Sequence, residues 1–255
     1  MSPELKIAIE AARAAAEISR RHYRGNLEVT IKEDRTPVTQ ADVECEHAIR
    51  ETILAAFPGH GFFGEETGST DGDGENLWLV DPIDGTKGFV RQYPFFSTQI
   101  ALMRAGKIVL GVSCGTMFDE LAWAERGEGA FLNEERLAVS SIDDIADAAV
   151  STGNLASLAA GSGWAKLAPW IAKAGRTRGY GDFYHYHLLA AGKIEAVIES
   201  DVNILDIAAL SVIVEEAGGV FTDLNGDAPT LETRSVLAAN PAMHAQLLAD
   251  LSGVL

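Results

Sequence analysis

Apolar residues recur at helical spacing in residues 4–22 and again in residues 41–57, where Pro58-Gly59 ends the pattern. The sequence therefore predicts that two amphipathic helices open the chain. Between them, residues 27–31 alternate apolar and polar side chains, which indicates a strand. Residues 67–76 are rich in glycine and acidic side chains, and we expect an exposed loop there.

Short strand-like runs then follow one another through the middle of the chain. The predicted strands are Leu77–Val80, Ser97–Met103, Lys107–Ser113 and Leu121–Ala124. Ala105-Gly106 and Phe118-Asp119 have the residue types of hairpin turns. The centre is thus predicted to be a mainly antiparallel sheet.

After the polar segment 140–147, strands alternate with helices. The predicted strands are Ala148–Ser151, Thr177–Tyr180, Ile194–Glu199, Val220–Asp223 and Ser235–Ala238, and the predicted helices are Leu155–Ala174, Tyr184–Ala191, Asp206–Ala217 and one from Pro241. Gly218-Gly219 suits the end of a helix because glycine tolerates positive φ. We expect an α+β protein, a layered αβαβα sandwich formed by one domain over residues 1–255. Its two halves would be about 1–142 and 143–255.

Composition narrows the class of partner. The 255 residues are 47% hydrophobic, which is enough for a sizeable core, and the formal charge is −17. Such a charge repels nucleic-acid polymers and anionic membranes, so neither is expected as a partner. The N-terminus lacks the pattern of a secretory leader, and no apolar run is long enough to span a membrane, so we expect a cytoplasmic protein. Cys45 and Cys114 lack metal-type spacing and are predicted to be buried free thiols.

The most informative stretch runs from Leu79 to Thr86, where an apolar strand ends in Asp81-Pro82-Ile83-Asp84-Gly85-Thr86. Two carboxylates lie beside backbone amides and a hydroxyl that can bind an anion, which indicates a divalent metal together with a phosphate. An ordinary Asp-Pro turn is the alternative, because the same residue types dominate turns.

Three other acids join this stretch only if the fold brings them to it. Glu65 lies in Gly64-Glu65-Glu66, which alone could be a surface pair. Asp42 can complete a capping box with Thr39, and Asp206 can cap the helix that it begins. Each acid by itself therefore has a structural explanation.

Taken together and in order, these motifs resemble those of the inositol monophosphatase superfamily of metal-dependent phosphatases. The motifs are Gly64-Glu65-Glu66, Asp81-Pro82-Ile83-Asp84-Gly85-Thr86, and Leu205-Asp206-Ile207-Ala208-Ala209 followed by Glu215 and Ala217-Gly218-Gly219. The resemblance covers nearly the whole chain and implies the fold shared by inositol monophosphatase and fructose-1,6-bisphosphatase. Leu205 departs from it, because many members have tryptophan there.

The resemblance implies a set of metal ligands. Glu65, Asp81 and the Ile83 carbonyl would hold one Mg²⁺, and Asp81, Asp84 and Asp206 a second. A third ion near Glu65 is also compatible with the pattern. Oxygen ligands of this kind are those that magnesium requires.

The resemblance also implies a mechanism, with Asp42, Glu65 and Thr86 as catalytic residues. Metal-activated water would attack phosphorus in line, without a phosphoenzyme, and Thr86 with Asp42 would orient and deprotonate that water. The amides of Gly85 and Thr86 would bind phosphate oxygens. A small phosphorylated metabolite is the expected substrate, and a homodimer the expected assembly.

Residues 178–192 look like those of the histidinol-phosphate phosphatase branch. Histidinol phosphate carries an ammonium and an imidazole, with which Asp182 and Glu199 could pair. Helix capping is the alternative role for Asp182. His185 and His187 lie about 200° apart around a helix, so they are not expected to share a metal ion.

Three other functions remain open at this point. Inositol 1-phosphate would need only a single acceptor such as Glu199. A bisphosphate nucleotide also fits, because Gly85-Thr86-Lys87 occurs in bisphosphate nucleotidases, but its second phosphate needs cations, for which Lys32, Lys87 and Arg91 are candidates. A non-catalytic, metal-binding regulatory relative is the remaining possibility, although no motif residue is lost.

Overall fold

The computed structural model describes residues 1–25, 29–31 and 37–251. Leu27, in the first predicted strand, and Lys32, a candidate cation, lie outside these ranges. The helices of the described residues are α1 (Pro3–Tyr23), α2 (Gln40–Ala56), α3 (Thr86–Val90), α4 (Leu155–Ala160), α5 (Trp164–Lys173), α6 (Asp182–Ala190), α7 (Ile204–Glu216) and α8 (Pro241–Leu251).

The strands form a small hairpin and two larger sheets. They are β1 (Val29–Ile31), β2 (Pro37–Thr39), β3 (Gly61–Gly64), β4 (Gly68–Thr70), β5 (Asn76–Asp84), β6 (Ser97–Arg104), β7 (Lys107–Gly115), β8 (Glu120–Glu125), β9 (Gly129–Leu132), β10 (Glu135–Arg136), β11 (Ala149–Thr152), β12 (Arg176–Arg178), β13 (Ala196–Ser200), β14 (Val220–Thr222) and β15 (Ser235–Ala239).

The first large sheet has the order β10-β9-β8-β7-β6-β5-β3-β4. All of its pairs are antiparallel except β3 with β5, which confirms the predicted mainly antiparallel centre. The prediction of an uninterrupted loop at residues 67–76 is wrong, because β4 pairs with β3 there. Glycine and acidic residues indicated exposure correctly, but the pairing is made by backbone groups that composition does not reveal.

The second sheet has the order β12-β11-β13-β15-β14, with β11 parallel to β12 and β13 and with β15 antiparallel to its neighbours. The strands change sheet between residues 136 and 149. The prediction of a single helix over residues 155–174 is wrong, since α4 ends at Ala160 and its C-cap Gly161 has an extended ψ of 154° before α5 begins. Glycines at 161 and 163 lower helix propensity there enough for the chain to turn.

Three apolar clusters hold five layers together, as predicted for an αβαβα sandwich. One lies between the first sheet and α1 with α2, a second surrounds α6 and α7 between the sheets, and a third packs α4, α5 and α8 on the outer face of the second sheet. Cys45 and Cys114 are both buried and free, as expected.

The two helices that open the chain begin where the sequence supplies caps. Ser2 accepts a hydrogen bond from the Leu5 amide at the start of α1. Thr39 and Asp42 form a capping box at the start of α2, as the spacing predicted. The buried face of α1 is mostly alanine, which lets α2 approach closely. Within the described ranges, no helix combines the length and apolar character needed to cross a membrane.

Candidate active site

An irregularity in β5 places Asp81 and Asp84 on the same side of the sheet. In a regular strand, residues three apart point to opposite faces. Asp81 pairs with Gln99 and Asp84 with Ser97 of β6, and the register shifts between these two pairs. The bulge at Pro82-Ile83 corrects the alternation, and the Ile83 amide stabilises it by donating to Asp81 Oδ1 at 3.0 Å.

Asp206 reaches the same point from the start of α7. It shares a capping box with Asn203, whose amide and side-chain nitrogens donate to its carboxylate at 3.0 and 2.7 Å. One carboxylate oxygen from each of Asp81, Asp84 and Asp206 lies within 4.8 Å of the others. The helix-cap explanation of Asp206 and its placement beside the aspartates are therefore both correct.

The three acids perturb one another strongly. Burial is the largest cause that raises the pKa of Asp81 and Asp84 well above the ordinary value, and the charge of Asp206 raises both further. Burial also raises the pKa of Asp206 to about 6, although the hydrogen bonds from Asn203 oppose this. At this spacing, two charges repel by about 3 to 4 kcal/mol at an effective dielectric constant of about 20. A cation among them would remove that repulsion.

Asp42 and Thr86 meet beside the three acids. The Thr86 hydroxyl lies 3.0 Å from the Ile83 carbonyl oxygen and 3.4 Å from Asp42 Oδ1. The other oxygen of Asp42 accepts from the amide and hydroxyl of Thr39 at 2.7 and 2.6 Å. Burial is the largest cause of a raised pKa at Asp42. The pair is thus placed to exchange a proton through the threonine oxygen.

Gly85 fixes the turn that leads into α3. Its φ is +84°, and a Cβ at this position would come within 2.7 Å of the Phe95 carbonyl oxygen, so only glycine fits. Amides at the start of a helix have no partner within the helix. Those of Gly85 and Thr86 are therefore available in principle to an anion, next to the three aspartates.

Glu65 approaches from the loop after β3, and its backbone amide donates to the Val80 carbonyl at 3.2 Å. Its side chain is exposed, and its charge raises the pKa of Asp42, Asp81 and Asp206, after the larger effect of burial at each. It lies near the three aspartates but outside the cluster whose oxygens fall within 4.8 Å.

Sequence reasoning missed Glu46, which holds the Glu65 loop in place. Its carboxylate is fully buried and accepts from the amides of Glu66 and Thr67, both at 2.7 Å. A Cβ on Gly64 would come within 2.5 Å of that carboxylate, so this glycine is required for close approach. The sequence spacing could have indicated this role, because Asp42 and Glu46 lie one turn apart on the same face of α2.

A cavity of about 240 Å³ opens beside the aspartates. Its lining includes Asp84, Asp206, Asp182, Glu199 and Tyr186. Both predicted substrate-binding acids therefore lie next to two predicted metal ligands. Asn154, whose amide nitrogen donates to the Ser200 and Asp201 carbonyls at 2.8 and 3.1 Å, also lines it and was not predicted.

Asp182 is not a helix cap. Gly181 occupies the cap position of α6 without a side-chain hydrogen bond, and Asp182 itself has a φ of +46°, which is uncommon outside glycine. Burial, followed by the charge of Glu199, raises its pKa to about 6. A half-buried acid held in this backbone conformation suggests a role in binding.

A model of the inositol monophosphatase family matches residues 1–254. The chain belongs to this family. Histidinol-phosphatase of Chlorobaculum parvum is 36% identical over 250 residues, covering 98% of this chain and 96% of that protein. Inositol-1-monophosphatase of Mesorhizobium japonicum is 34% identical over 250 residues, covering 96% of this chain and 94% of that protein. The structure of extragenic suppressor protein suhB from Bartonella henselae superposes with a TM-score of 0.92 at 33% identity, covering 100% of both chains.

As an inositol monophosphatase family member, the protein is a phosphatase, and its fold is the one that the motifs implied. Family members named for histidinol phosphate and for inositol phosphate match at similar identity. The family therefore gives the class of reaction, whereas the choice of substrate depends on the cavity.

In this phosphatase, the two histidines of α6 face different surroundings. His185 contacts Ser151 and Glu199, each at 3.2 Å, whereas His187 contacts Ser113 and Glu120, each at 2.8 Å. They do not share a site, as their helical spacing predicted. The Tyr186 hydroxyl donates to the same Glu199 oxygen at 2.7 Å, so Glu199 is held from two directions.

The donors that converge here suit a hard divalent cation. Asp81, Asp84 and Asp206 offer only carboxylate oxygens, and the described residues that hydrogen-bond to them leave lone pairs free. The cluster can therefore bind a metal ion of the Mg²⁺, Mn²⁺ or Ca²⁺ type.

Proposed function

We propose that this phosphatase is magnesium-dependent and hydrolyses histidinol phosphate to histidinol and phosphate. The observation that carries the substrate assignment is the position of Asp182 and Glu199 in the cavity that adjoins Asp84 and Asp206. Two acids that are not needed for the metal face the space where the leaving group would lie. A leaving group with an ammonium and an imidazole would pair with them.

In this proposal, Glu65, Asp81 and the Ile83 carbonyl would hold one Mg²⁺, Asp81, Asp84 and Asp206 would hold a second, and a third would lie near Glu65. Bound Mg²⁺ would supply positive charge to the phosphate oxygens and make a water molecule more acidic. The all-oxygen donor set and the mutual repulsion of the acids both support this assignment.

The chain's own groups then handle the proton and the phosphate. Thr86 Oγ1 orients the attacking water and passes its proton toward Asp42 Oδ1, 3.4 Å away. The amides of Gly85 and Thr86 hold non-bridging phosphate oxygens. The P–O bond to histidinol lies opposite the attacking water and breaks as the new P–O bond forms, and the histidinol oxygen takes a proton from a second water molecule. Asp182 and Glu199 orient histidinol, and Tyr186 with His185 keeps Glu199 in place.

The competing substrates fit the cavity less well. A bisphosphate nucleotide needs cations for its second phosphate, yet the described residues that line the cavity include no lysine or arginine. Lys87 and Arg91 are exposed and lie outside this lining. Inositol 1-phosphate has only hydroxyl groups, so it can donate hydrogen bonds to Asp182 but brings no positive charge beyond that of Lys87, which already lowers the pKa of Asp182.

A small phosphorylated metabolite is thus the proposed partner. Homodimerisation and a cytoplasmic location remain part of the proposal, on the basis of the family resemblance and of the sequence.

Asp182→Asn should separate charge recognition from catalysis. The change keeps the shape of the side chain and tolerates the positive φ, but it removes the charge. We expect KM for histidinol phosphate to rise about tenfold, since a hydrogen bond to a charged group contributes about 1.5 to 3 kcal/mol. KM for inositol 1-phosphate should change much less. Steady-state phosphate release with both esters measures the difference.

Asp201→Asn is the matched control, because Asp201 also has positive φ but is exposed and lies outside the cavity lining. Equal changes in KM for both esters would refute charge recognition by Asp182. If the wild type hydrolysed inositol 1-phosphate faster than histidinol phosphate, inositol 1-phosphate would replace histidinol phosphate as the assigned substrate. No phosphate release from histidinol phosphate, inositol 1-phosphate or a bisphosphate nucleotide would favour the regulatory alternative.

A further inference from the structure

A row of buried polar side chains crosses the first sheet and ends at Asp84. We call Ser97, Gln99, Ser113 and His187 the buried polar row, which continues to the half-buried Glu120. Register pairs Ser97 with Asp84 and Gln99 with Ser113, so the row steps across β5, β6 and β7 before it reaches α6. The row could not be predicted from the sequence, because Gln99 and Ser113 meet only when β6 and β7 pair in register.

The contacts along the row are short and continuous. Gln99 Nε2 donates to Ser97 Oγ at 2.8 Å and to Ser113 Oγ at 3.0 Å. Ser97 Oγ donates to Asp84 Oδ2 at 3.1 Å. At the other end, Ser113 Oγ lies 2.8 Å from His187 Nε2, and Glu120 Oε2 lies 2.8 Å from His187 Nδ1.

The amide of Gln99 orients the hydroxyl group of Ser97. Each serine accepts one of the two hydrogens of Nε2, so each hydroxyl hydrogen points away from Gln99. That of Ser97 points to Asp84.

Such a row is costly to bury, since polar groups lose their hydration in the interior. Ser97, Gln99, Ser113 and His187 are all nearly inaccessible, and Gln99 Oε1 has no hydrogen-bond partner among the described residues. An apolar residue at position 99 would avoid that unpaired atom. The benefit of burying the row is that Ser97 becomes a fixed hydrogen-bond donor to the carboxylate of Asp84.

We propose that Gln99, Ser97 and Ser113 are positioning residues that orient Asp84 for the metal. A hydrogen bond on Oδ2 fixes the rotation of the carboxylate, and Gln99 ensures that Ser97 donates rather than accepts. The inference rests on the proposed function, because it assumes that Asp84 is a metal ligand. It adds residues that do not touch the metal but control its binding.

Ser113→Ala tests the row, because Ser113 has no contact with Asp84 and can affect it only through Gln99. Titration calorimetry of Mg²⁺ into metal-free protein is the measurement. Residues that support metal ligands typically change metal affinity by about 10- to 100-fold. We expect Ser97→Ala to weaken Mg²⁺ binding about tenfold and Ser113→Ala about threefold to tenfold. With saturating Mg²⁺, kcat should recover while the Mg²⁺ requirement stays raised.

Ser211→Ala is the control, since Ser211 is equally buried but donates only to the Ala208 carbonyl of its own helix. It should keep the wild-type Mg²⁺ affinity. If Ser113→Ala does not give a cooperative melting transition, Ser113→Cys keeps most of the volume with a much weaker hydrogen bond, and the same loss is expected. Wild-type Mg²⁺ affinity in a folded Ser113 variant would overturn the inference and leave the proposed function intact. A wild type that binds no Mg²⁺ would instead overturn both.

Discussion

Asp84→Asn should lower kcat/KM at least about a thousandfold while the protein stays folded. Losing one preorganised electrostatic group in an active site already costs about 10²- to 10³-fold, and Asp84 belongs to the cluster proposed to hold the metal. Asparagine has nearly the same volume and can still accept from Ser97. Phosphate release with Mg²⁺ measures the loss of kcat/KM, and circular dichroism shows whether the variant stays folded.

The same variant should be more stable than the wild type when both are free of metal, because one of the mutually repelling charges is gone. Asp143→Asn is the control, because Asp143 is an exposed acid in the chain segment that connects the two sheets. It should change neither the activity nor the metal-free stability. Turnover by Asp84→Asn at the wild-type rate would contradict the assignment of Asp84 to the metal.

Without metal, the protein should lose stability as the pH rises through about 6. Burial raises the pKa of Asp206 from 3.8 to about 6 in the folded protein, and the pKa of Asp81 and Asp84 also rises. The folded state then binds more protons than the unfolded state, so this contribution to stability is complete below pH 3.8 and is lost as the pH passes the folded value.

Mg²⁺ should reverse this loss, and more strongly at higher pH, because the ionised acids are its ligands. A ligand at 100 times its dissociation constant stabilises the folded state by about 2.7 kcal/mol. Melting temperatures from pH 4.5 to 8, with a chelator or with Mg²⁺, measure both effects. The difference in melting temperature between the wild type and Asp84→Asn at each pH gives the part that comes from the acidic cluster. Metal-free stability that stays level or increases across pH 6 relative to that variant would count against the repulsion described here.

Local chemistry predicted much of the site. Asp81-Pro82-Ile83-Asp84-Gly85-Thr86 carries its own turn, and the spacing of Thr39 with Asp42 is that of a helix start. Asp206 was predicted to cap its helix, and the structure places it in a capping box with Asn203. In both capping boxes, the structural role and the proposed functional role belong to the same carboxylate. A cap therefore fixes the position of an acid in the site, and the two explanations do not compete.

What the sequence did not reveal depends on contacts between distant segments. Glu46 and the loop after Gly64 meet only because α2 packs beside β3, and Gln99 looks like an isolated polar residue until β6 and β7 are in register. Asp182 resembled a helix cap because a Gly-Asp pair commonly begins a helix. In the structure it has a positive φ and lines the cavity beside Asp84 and Asp206. Pairing of β4 with β3 was likewise hidden, because backbone groups make it.

We propose that Asp81, Asp84 and Asp206 together bind divalent cations. Anomalous diffraction from crystals grown with Mn²⁺ tests this most directly, because Mn²⁺ accepts the same oxygen ligands as Mg²⁺. We expect strong anomalous peaks in contact with these three carboxylates, one of them also adjacent to Glu65. A well-ordered site with no peak among the three aspartates would contradict the metal-dependent mechanism.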